Sequence, residues 1–212
     1  KENNEFTKAM EYLLNARSLA NNTEDINLKA LINSQVGEAF YNENLPDSAI
    51  SYQKQAFWLY SEIDNKEDEQ MACAYQTVAN YAMTSNHDSA LHYIGIGLKI
   101  AEKTNNLKFK SRFLNSAGNN YRKKGLLKEA KSALLHALEI NKEDRVIPTI
   151  YNNLSKTYHD LGQKDSALYY GKESFKLYEG QKDDNPYRAL TINENLSKLY
   201  EENKNFVEAL KH

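Results

Sequence analysis

The sequence predicts an all-α fold, a right-handed superhelical solenoid built from antiparallel helix pairs. Three observations predict it. The first is a periodic alanine: Ala9, Ala49, Ala90, Ala130, Ala167 and Ala209 stand 40, 41, 40, 37 and 42 residues apart, in the similar phrases FTKAMEY, PDSAISY, HDSALHY, LKEAKSA, KDSALYY and FVEALKH. A fixed period of this size marks a stacked-repeat architecture. The second is a small residue seven places after each of the first five, at Ala16, Ala56, Gly97, Ala137 and Ser174. Residues seven apart share one helix face about two turns apart, so each helix offers two small side chains where another backbone must approach. The third is composition: 8 Gly and 3 Pro in 212 residues are too few for the turns of a sandwich, a barrel or a nucleotide-binding α/β fold.

The elements follow in order. Apolar periodicity places helices at 5–20 and 26–43, and Pro46, at a first helical position, opens a third at 46–64. Helices at 67–85, 87–103, 107–124 and 127–142 come next. Pro148 falls in the first turn of a helix at 147–161, where it removes no hydrogen bond. After a helix at 164–180, Asn185-Pro186 supplies a cap and a first-position proline for 187–203, and a last helix begins at 205. First helices carry an apolar residue thirteen before the repeat alanine (Val36, Ala117, Leu154, Leu196) and an aromatic four later (Phe40, Tyr121, Tyr158, Tyr200). Gly125 and Gly162, five before the alanine, suit the left-handed turn that ends a helix, and Asn44 and Asn203 are the next-best residues nearby. The copy ending at Ala90 reads as one residue shorter between Val78 and Ala90, which predicts a tighter turn. The expected organisation is one array over 1–212, with a partial unit 1–22, full units at about 26–64, 67–105, 107–144 and 147–183, and a truncated unit 187–212. The chain starts at Lys1 rather than Met and stops within an amphipathic pattern, which predicts a piece of a longer protein.

Apolar residues at 41% and charged residues at 26% are enough to build a core. A net charge of −2 argues against a dedicated nucleic-acid binder. No stretch approaches the roughly 18 to 20 apolar residues of a membrane span. Cys73, the single cysteine, makes no internal disulfide and reads as a buried bystander. Catalytic and metal patterns are missing: His87 and His92 are five apart and do not share a helix face, while His136 and His159 have no carboxylate or thiol partner by spacing. Gly95-Ile96-Gly97 follows no strand, and Gly171-Lys172-Glu173-Ser174 lacks the upstream glycine of a phosphate loop. No enzyme, cofactor or metal site is predicted. Trp58 reads as a helix-packing anchor, and the fifteen tyrosines as packing between helices.

One set of residues, Gly118, Tyr121, Gly125, Ala130 and Ala137, and a second, Tyr158, Gly162, Ala167, Tyr170 and Ser174, carry a family resemblance. The units resemble tetratricopeptide repeats. Their period near 40, against about 34 for the family, is similar to the extended-helix variety of bacterial regulatory and sensor proteins. The resemblance implies a concave groove lined by first-helix residues eighteen, fifteen, fourteen and eleven before the repeat alanine. Those are Leu31, Ser34, Gln35 and Glu38; Arg112, Asn115, Ser116 and Asn119; Thr149, Asn152, Asn153 and Lys156; and Thr191, Glu194, Asn195 and Lys198. The copy read as shortened offers Gln76, Thr77 and Asn80.

An asparagine side chain donates to and accepts from a peptide backbone at once, so Asn80, Asn115, Asn119, Asn152, Asn153 and Asn195 are the expected peptide-holding residues. Charge is uneven: 38–98 holds nine acids against Lys54 and Lys66, and 99–131 holds ten bases against Glu102 and Glu129. Arg112 and Arg122, with Lys156 and Lys198, are expected to favour an acidic peptide or a carboxylate terminus. The basic stretch is local and has few interleaved aromatics, so nucleic acid is not an expected partner. The expected function is a non-catalytic protein- or peptide-binding module, the sensory or scaffolding region of a bacterial regulatory protein. Two alternatives stay open. One is a structural assembly protein that forms homodimers through apolar ends, with Phe6, Leu13 and Leu14 at one and Leu196, Leu199 and Phe206 at the other. The other is a repeat-type regulator of a signalling enzyme, which requires a residue such as Gln76 to reach a partner's active site. The cytoplasmic and periplasmic sides of the cell are both compatible with the sequence.

Overall fold

The computed structural model describes residues 2–140, 145–180 and 186–211. Eleven helices are described, and no strand occurs among these residues: α1 (Glu2–Asn21), α2 (Ile26–Asn42), α3 (Pro46–Ser61), α4 (Glu67–Met83), α5 (His87–Lys103), α6 (Leu107–Lys123), α7 (Leu127–Ile140), α8 (Ile147–Asp160), α9 (Lys164–Gly180), α10 (Pro186–Glu202) and α11 (Phe206–Ala209). Their bounds lie within three residues of those the periodicity predicts; the expected cap Asn185 lies outside the described residues. The chain divides into two units, 1–109 and 110–212. Each is a succession of antiparallel helix pairs.

Five hairpins, α2–α3, α4–α5, α6–α7, α8–α9 and α10–α11, turn in the same way. Each loop has three residues (43–45, 84–86, 124–126, 161–163 and 203–205), and its middle residue is left-handed: Asn44, Ser85, Gly125, Gly162 and Lys204, with φ of 59°, 57°, 78°, 74° and 58°. The following N–H donates five residues back to an aromatic carbonyl at 2.9 Å, from Leu45 to Phe40, Asn86 to Tyr81, Leu126 to Tyr121, Gln163 to Tyr158 and Asn205 to Tyr200. This is the Schellman closure, which satisfies carbonyls that a helix end leaves open.

Two expectations are corrected here. The second hairpin is not shorter: Thr77, not Val78, occupies the position thirteen before Ala90, and Tyr81 supplies the aromatic four later. Thr77 is fully buried, and its hydroxyl donates to the Cys73 carbonyl at 2.8 Å, which lets a polar residue take an apolar place. In the last hairpin Lys204, not Asn203, takes the left-handed turn. Ser85→Gly is therefore expected to raise stability by about 0.5–1 kcal/mol, and Gly125→Ala, whose added Cβ would meet nothing within 4 Å, to lower it by about 1 kcal/mol through backbone strain alone. Urea midpoints measure both; unchanged midpoints would mean that the turns are not held left-handed.

The repeat alanines mark where paired helices cross. Ala49, Ala90, Ala130 and Ala167 have no exposed surface, nor have Ala56, Ala137 and Ser174 seven residues on, and Gly97 is buried. The residue twelve before the alanine meets its carbonyl: Ser155 Oγ donates to Ala167 O at 2.7 Å and Ser197 Oγ to Ala209 O at 3.1 Å. At this level in the α6–α7 pair stands Gly118. The aromatic nine before the alanine packs against one three after it, with ring centroids 5.5 Å apart for Phe40–Tyr52, 5.9 Å for Tyr81–Tyr93 and 5.1 Å for Tyr158–Tyr170.

In the first unit, Met10 and Ala20 of α1 pack with Ile32 and Val36 of α2, while Ala9 is exposed. In the second, Leu134, Ala137, Val146, Ile147, Ile150 and Leu154 form one cluster. Trp58 is no packing anchor: it is 55% exposed and touches Phe57 edge-on at 5.0 Å. Cys73 is buried, and that burial pushes its thiol up to about 11. Leu196 and Leu199, expected to be exposed, are buried; the apolar exposure at that end belongs to Val207 and Leu210. Leu14 is exposed, Phe6 and Leu13 are partly buried against α2, and the side chain of Phe206 lies outside the described residues. Among the described residues no helix is long and apolar enough to cross a membrane.

Candidate ligand-binding site

The second unit brings the first helices α6, α8 and α10 side by side, and their asparagines bond across the repeats. Asn153 Nδ2 donates to Asn115 Oδ1 at 2.9 Å; Asn195 Nδ2 donates to Asn152 Oδ1 at 2.8 Å and to Ser155 Oγ at 2.9 Å. In repeat register, the residue fourteen before one alanine donates to the residue fifteen before the preceding one. These amides link neighbouring repeats. Asn115, Asn152 and Asn195 are buried accordingly, and Asn119 and Asn153 are half-buried.

Asn80 does not join this face. It lies ten residues before Ala90, the register of Asn120 before Ala130, because the second copy is full length. Asn80 is fully buried, donates Nδ2 to the Gln76 carbonyl at 2.9 Å, and keeps an Oδ1 with no donor. Asn120 makes the same backbond, to Ser116 O at 2.8 Å. The groove register of the second copy falls instead on Ala72, Tyr75, Gln76 and Ala79.

Four of the expected residues, Arg122, Lys156, Asn195 and Lys198, line one cavity of about 290 Å³, together with His159, Asp160, Thr191, Glu194 and Leu199. Arg112, Asn115, Asn119, Asn152 and Asn153 are not in its lining. A chain of polar and charged side chains crosses from α6 to α10. Arg122 Nη1 pairs with Asp160 Oδ2 at 2.9 Å, His159 Nδ1 lies 3.5 Å from Asp160 Oδ1, His159 Nε2 lies 2.7 Å from Glu202 Oε2, and Lys198 Nζ lies 3.9 Å from Glu202 Oε1. Sequence reasoning missed His159, whose partner Glu202 is 43 residues on. The available signal was the repeat itself, which sets both residues at the C-terminal end of a first helix.

Two donors in the lining are unmatched. Arg122 Nε is buried with no acceptor. Lys156 is half-buried and makes no ion pair with a described residue; burial pulls its ammonium below the usual lysine range, the charges of Arg122 and Lys123 add to that, and Glu194 and Asp160 oppose it. Such a cavity attracts anionic oxygen. No group of metal-ligating side chains occurs among the described residues.

Tetratricopeptide-repeat family models match residues 111–144 and 149–179. With the recurring hairpin, these matches support repeats of the tetratricopeptide type. It is 26% identical over 172 residues to response regulator aspartate phosphatase E of Bacillus subtilis (strain 168), a stretch that covers 78% of this chain and 45% of that protein. The chain thus spans less than half the length of that curated relative. Its fold is similar to the apo form of RapI, with a TM-score of 0.82 at 17% identity, over 99% of this chain and 59% of that one. It is also similar to the Rap conjugation gene regulator of plasmid pLS20 in complex with the Phr* peptide, with a TM-score of 0.67 at 17% identity, over 99% and 69%.

Proposed function

We propose that the chain is a non-catalytic repeat module of a bacterial regulatory protein that binds a peptide or a peptide-like segment of a partner protein. The observation that carries this reading is the cavity lined from α6, α8 and α10, where Arg122, Lys156, Asn195 and Lys198 meet; stacked helical repeats use extended concave surfaces to bind ligands. A neighbour of the same fold is a gene regulator whose structure was solved in complex with a peptide, which supports the choice of ligand. The cation surplus at Lys156 supports an acidic one. Hexapeptide libraries screened against the immobilised chain test this: retention of a defined subset is expected, and no retention from any library would remove the reading.

The relative's name, response regulator aspartate phosphatase, favours a second reading, in which the module regulates a signalling enzyme by engaging a response regulator. Gln76, half-buried on α4 with its carbonyl accepting from Asn80, is one residue of the type this reading requires, though nothing in the sequence singles it out. The two readings separate in one assay. A phosphorylated receiver domain mixed with this chain is expected to keep its phosphate for its intrinsic lifetime; accelerated loss, abolished by Gln76→Ala, would establish the second.

A further inference from the structure

We propose that His159 is a proton-operated clamp between two repeats: its imidazolium, set between Glu202 of α10 and Asp160 of its own helix, holds the C-terminal ends of α8 and α10 together, and the hold weakens when the ring loses its second proton. No ligand is needed for it.

Geometry carries the clamp. His159 is the next-to-last residue of α8 and Glu202 the last of α10. Nε2 lies 2.7 Å from Glu202 Oε2, and Nδ1 lies 3.5 Å from Asp160 Oδ1, with the histidine side chain only 25% exposed. Both ring nitrogens therefore face carboxylates. A neutral imidazole has one N–H and one lone pair. With its proton on Nε2 it serves Glu202 and turns the lone pair toward Asp160; with the proton on Nδ1 the lone pair meets a carboxylate oxygen at 2.7 Å. Only the imidazolium suits both sides.

The surrounding charges preserve this arrangement. Arg122 of α6 takes the other oxygen of Asp160 at 2.9 Å, and Lys198 of α10 lies 3.9 Å from the other oxygen of Glu202. Each carboxylate thus keeps one oxygen for the ring. Lys156 of α8 and Glu194 of α10 line the same cavity with opposite charges, and Lys123 of α6 acts on Lys156. From the second helices, Lys131 of α7 and Lys172 of α9 stand over the rings of Tyr158 and Tyr200. These cations limit the strength of the clamp, while the two carboxylates at contact distance set its sign. The unfolded chain offers an imidazolium no such pair. The stabilisation is therefore complete below the range in which imidazole titrates, about pH 5 to 8, and is lost as pH rises through it. Because His159 and Asp160 belong to the cavity lining, the hold between α8 and α10 at that point follows pH.

The test uses the whole chain, without ligand, at about pH 5.5 and about pH 8. Amide hydrogen exchange, corrected for the intrinsic rate at each pH, reads the opening of α10, with α2, which carries no histidine, as the internal reference. In the parent, α10 is expected to open about threefold to tenfold more often at the higher pH. Glu202→Gln gives a neutral ring a partner that accepts or donates as the tautomer requires, so its α10 is expected to open equally at both. His159→Gln is expected to show the parent's high-pH opening at both, and His136→Gln, exposed on α7, to keep the parent's response. Equal opening of α10 at the two pH values in the parent, or a pH response that survives in Glu202→Gln, overturns the clamp. Should His159→Gln fail to fold, the parent and Glu202→Gln decide alone.

Discussion

Leu134→Ala is expected to cost about 3–4 kcal/mol, and Gly118→Ala about 1–2 kcal/mol, yet the two together are expected to cost only about 3 kcal/mol. Leu134 is fully buried on α7 in the cluster with Ala137, Ile147, Ile150 and Leu154, so its truncation removes apolar contacts and leaves a cavity. A Cβ added at Gly118 would stand 2.4 Å from Leu134 Cγ, 2.7 Å from its Cδ2 and 3.2 Å from the Ala130 carbonyl oxygen. Overpacking therefore outweighs the ~1 kcal/mol that alanine gains over glycine in a helix. When Leu134 is already alanine the obstructing atoms are gone, the new methyl fills part of the void, and the helix gain remains. The coupling, about 2 kcal/mol, is readable from urea denaturation of the four proteins. Additive costs would mean that α6 and α7 do not cross at this pair. Gly95→Ala on α5, which meets nothing within 4 Å, is the matched control and is expected to gain up to about 1 kcal/mol.

That crossing was legible in the sequence because small residues at fixed spacing have few other uses in a helix. The turns were legible only where glycine marked them. Gly125 and Gly162 announce a positive φ, but Ser85 and Lys204 adopt the same conformation because the Schellman bonds on both sides demand it, and neither residue type signals it. Thr77 hid the register of its repeat by burying a hydroxyl on its own helix backbone, and that single substitution displaced Tyr81 from its aromatic position and carried Asn80 onto the wrong face. Within the candidate site, Lys156, Asn195 and Lys198 were placed by repeat offset and Arg122 by charge, and all four reach one cavity. What offsets do not contain is the contact between one repeat and the next. Asn153 and Asn115 are 38 residues apart, and Asn195 and Asn152 are 43 apart; whether such amides face a ligand or each other depends on how first helices stack. The same holds for His159 and Glu202. Trp58 fails for a related reason: aromatic character does not say which side of a helix acquires a neighbour.

Asn195→Ala is accordingly expected to lower stability by about 2–3 kcal/mol, more than a surface asparagine and in the range of a buried polar group left without partners. The substitution removes two bonds at once and leaves Asn152 Oδ1 without its donor in a buried position, while Ser155 Oγ keeps its own bond to the Ala167 carbonyl. Asn152→Ala withdraws the acceptor from the same pair, so the double variant should cost less than the sum of the singles by about 1 kcal/mol. Asn119→Ala, half-buried and outside this ladder, is the contrast, with an expected change within about 0.5 kcal/mol. Urea denaturation of all four decides between two uses of the same amide. A ladder that joins repeats is lost with stability, and any effect on ligand follows from the displaced helix. A ladder kept for a peptide backbone would leave Asn195→Ala as stable as the parent and weaken only binding. The bond lengths, the burial of three of the four asparagines and the constant offset between donor and acceptor all fall on the first side. On the proposed reading, a ligand would be met by the side chains one turn further along the first helices, where Lys156 and Lys198 stand eleven residues before their alanines and line the cavity.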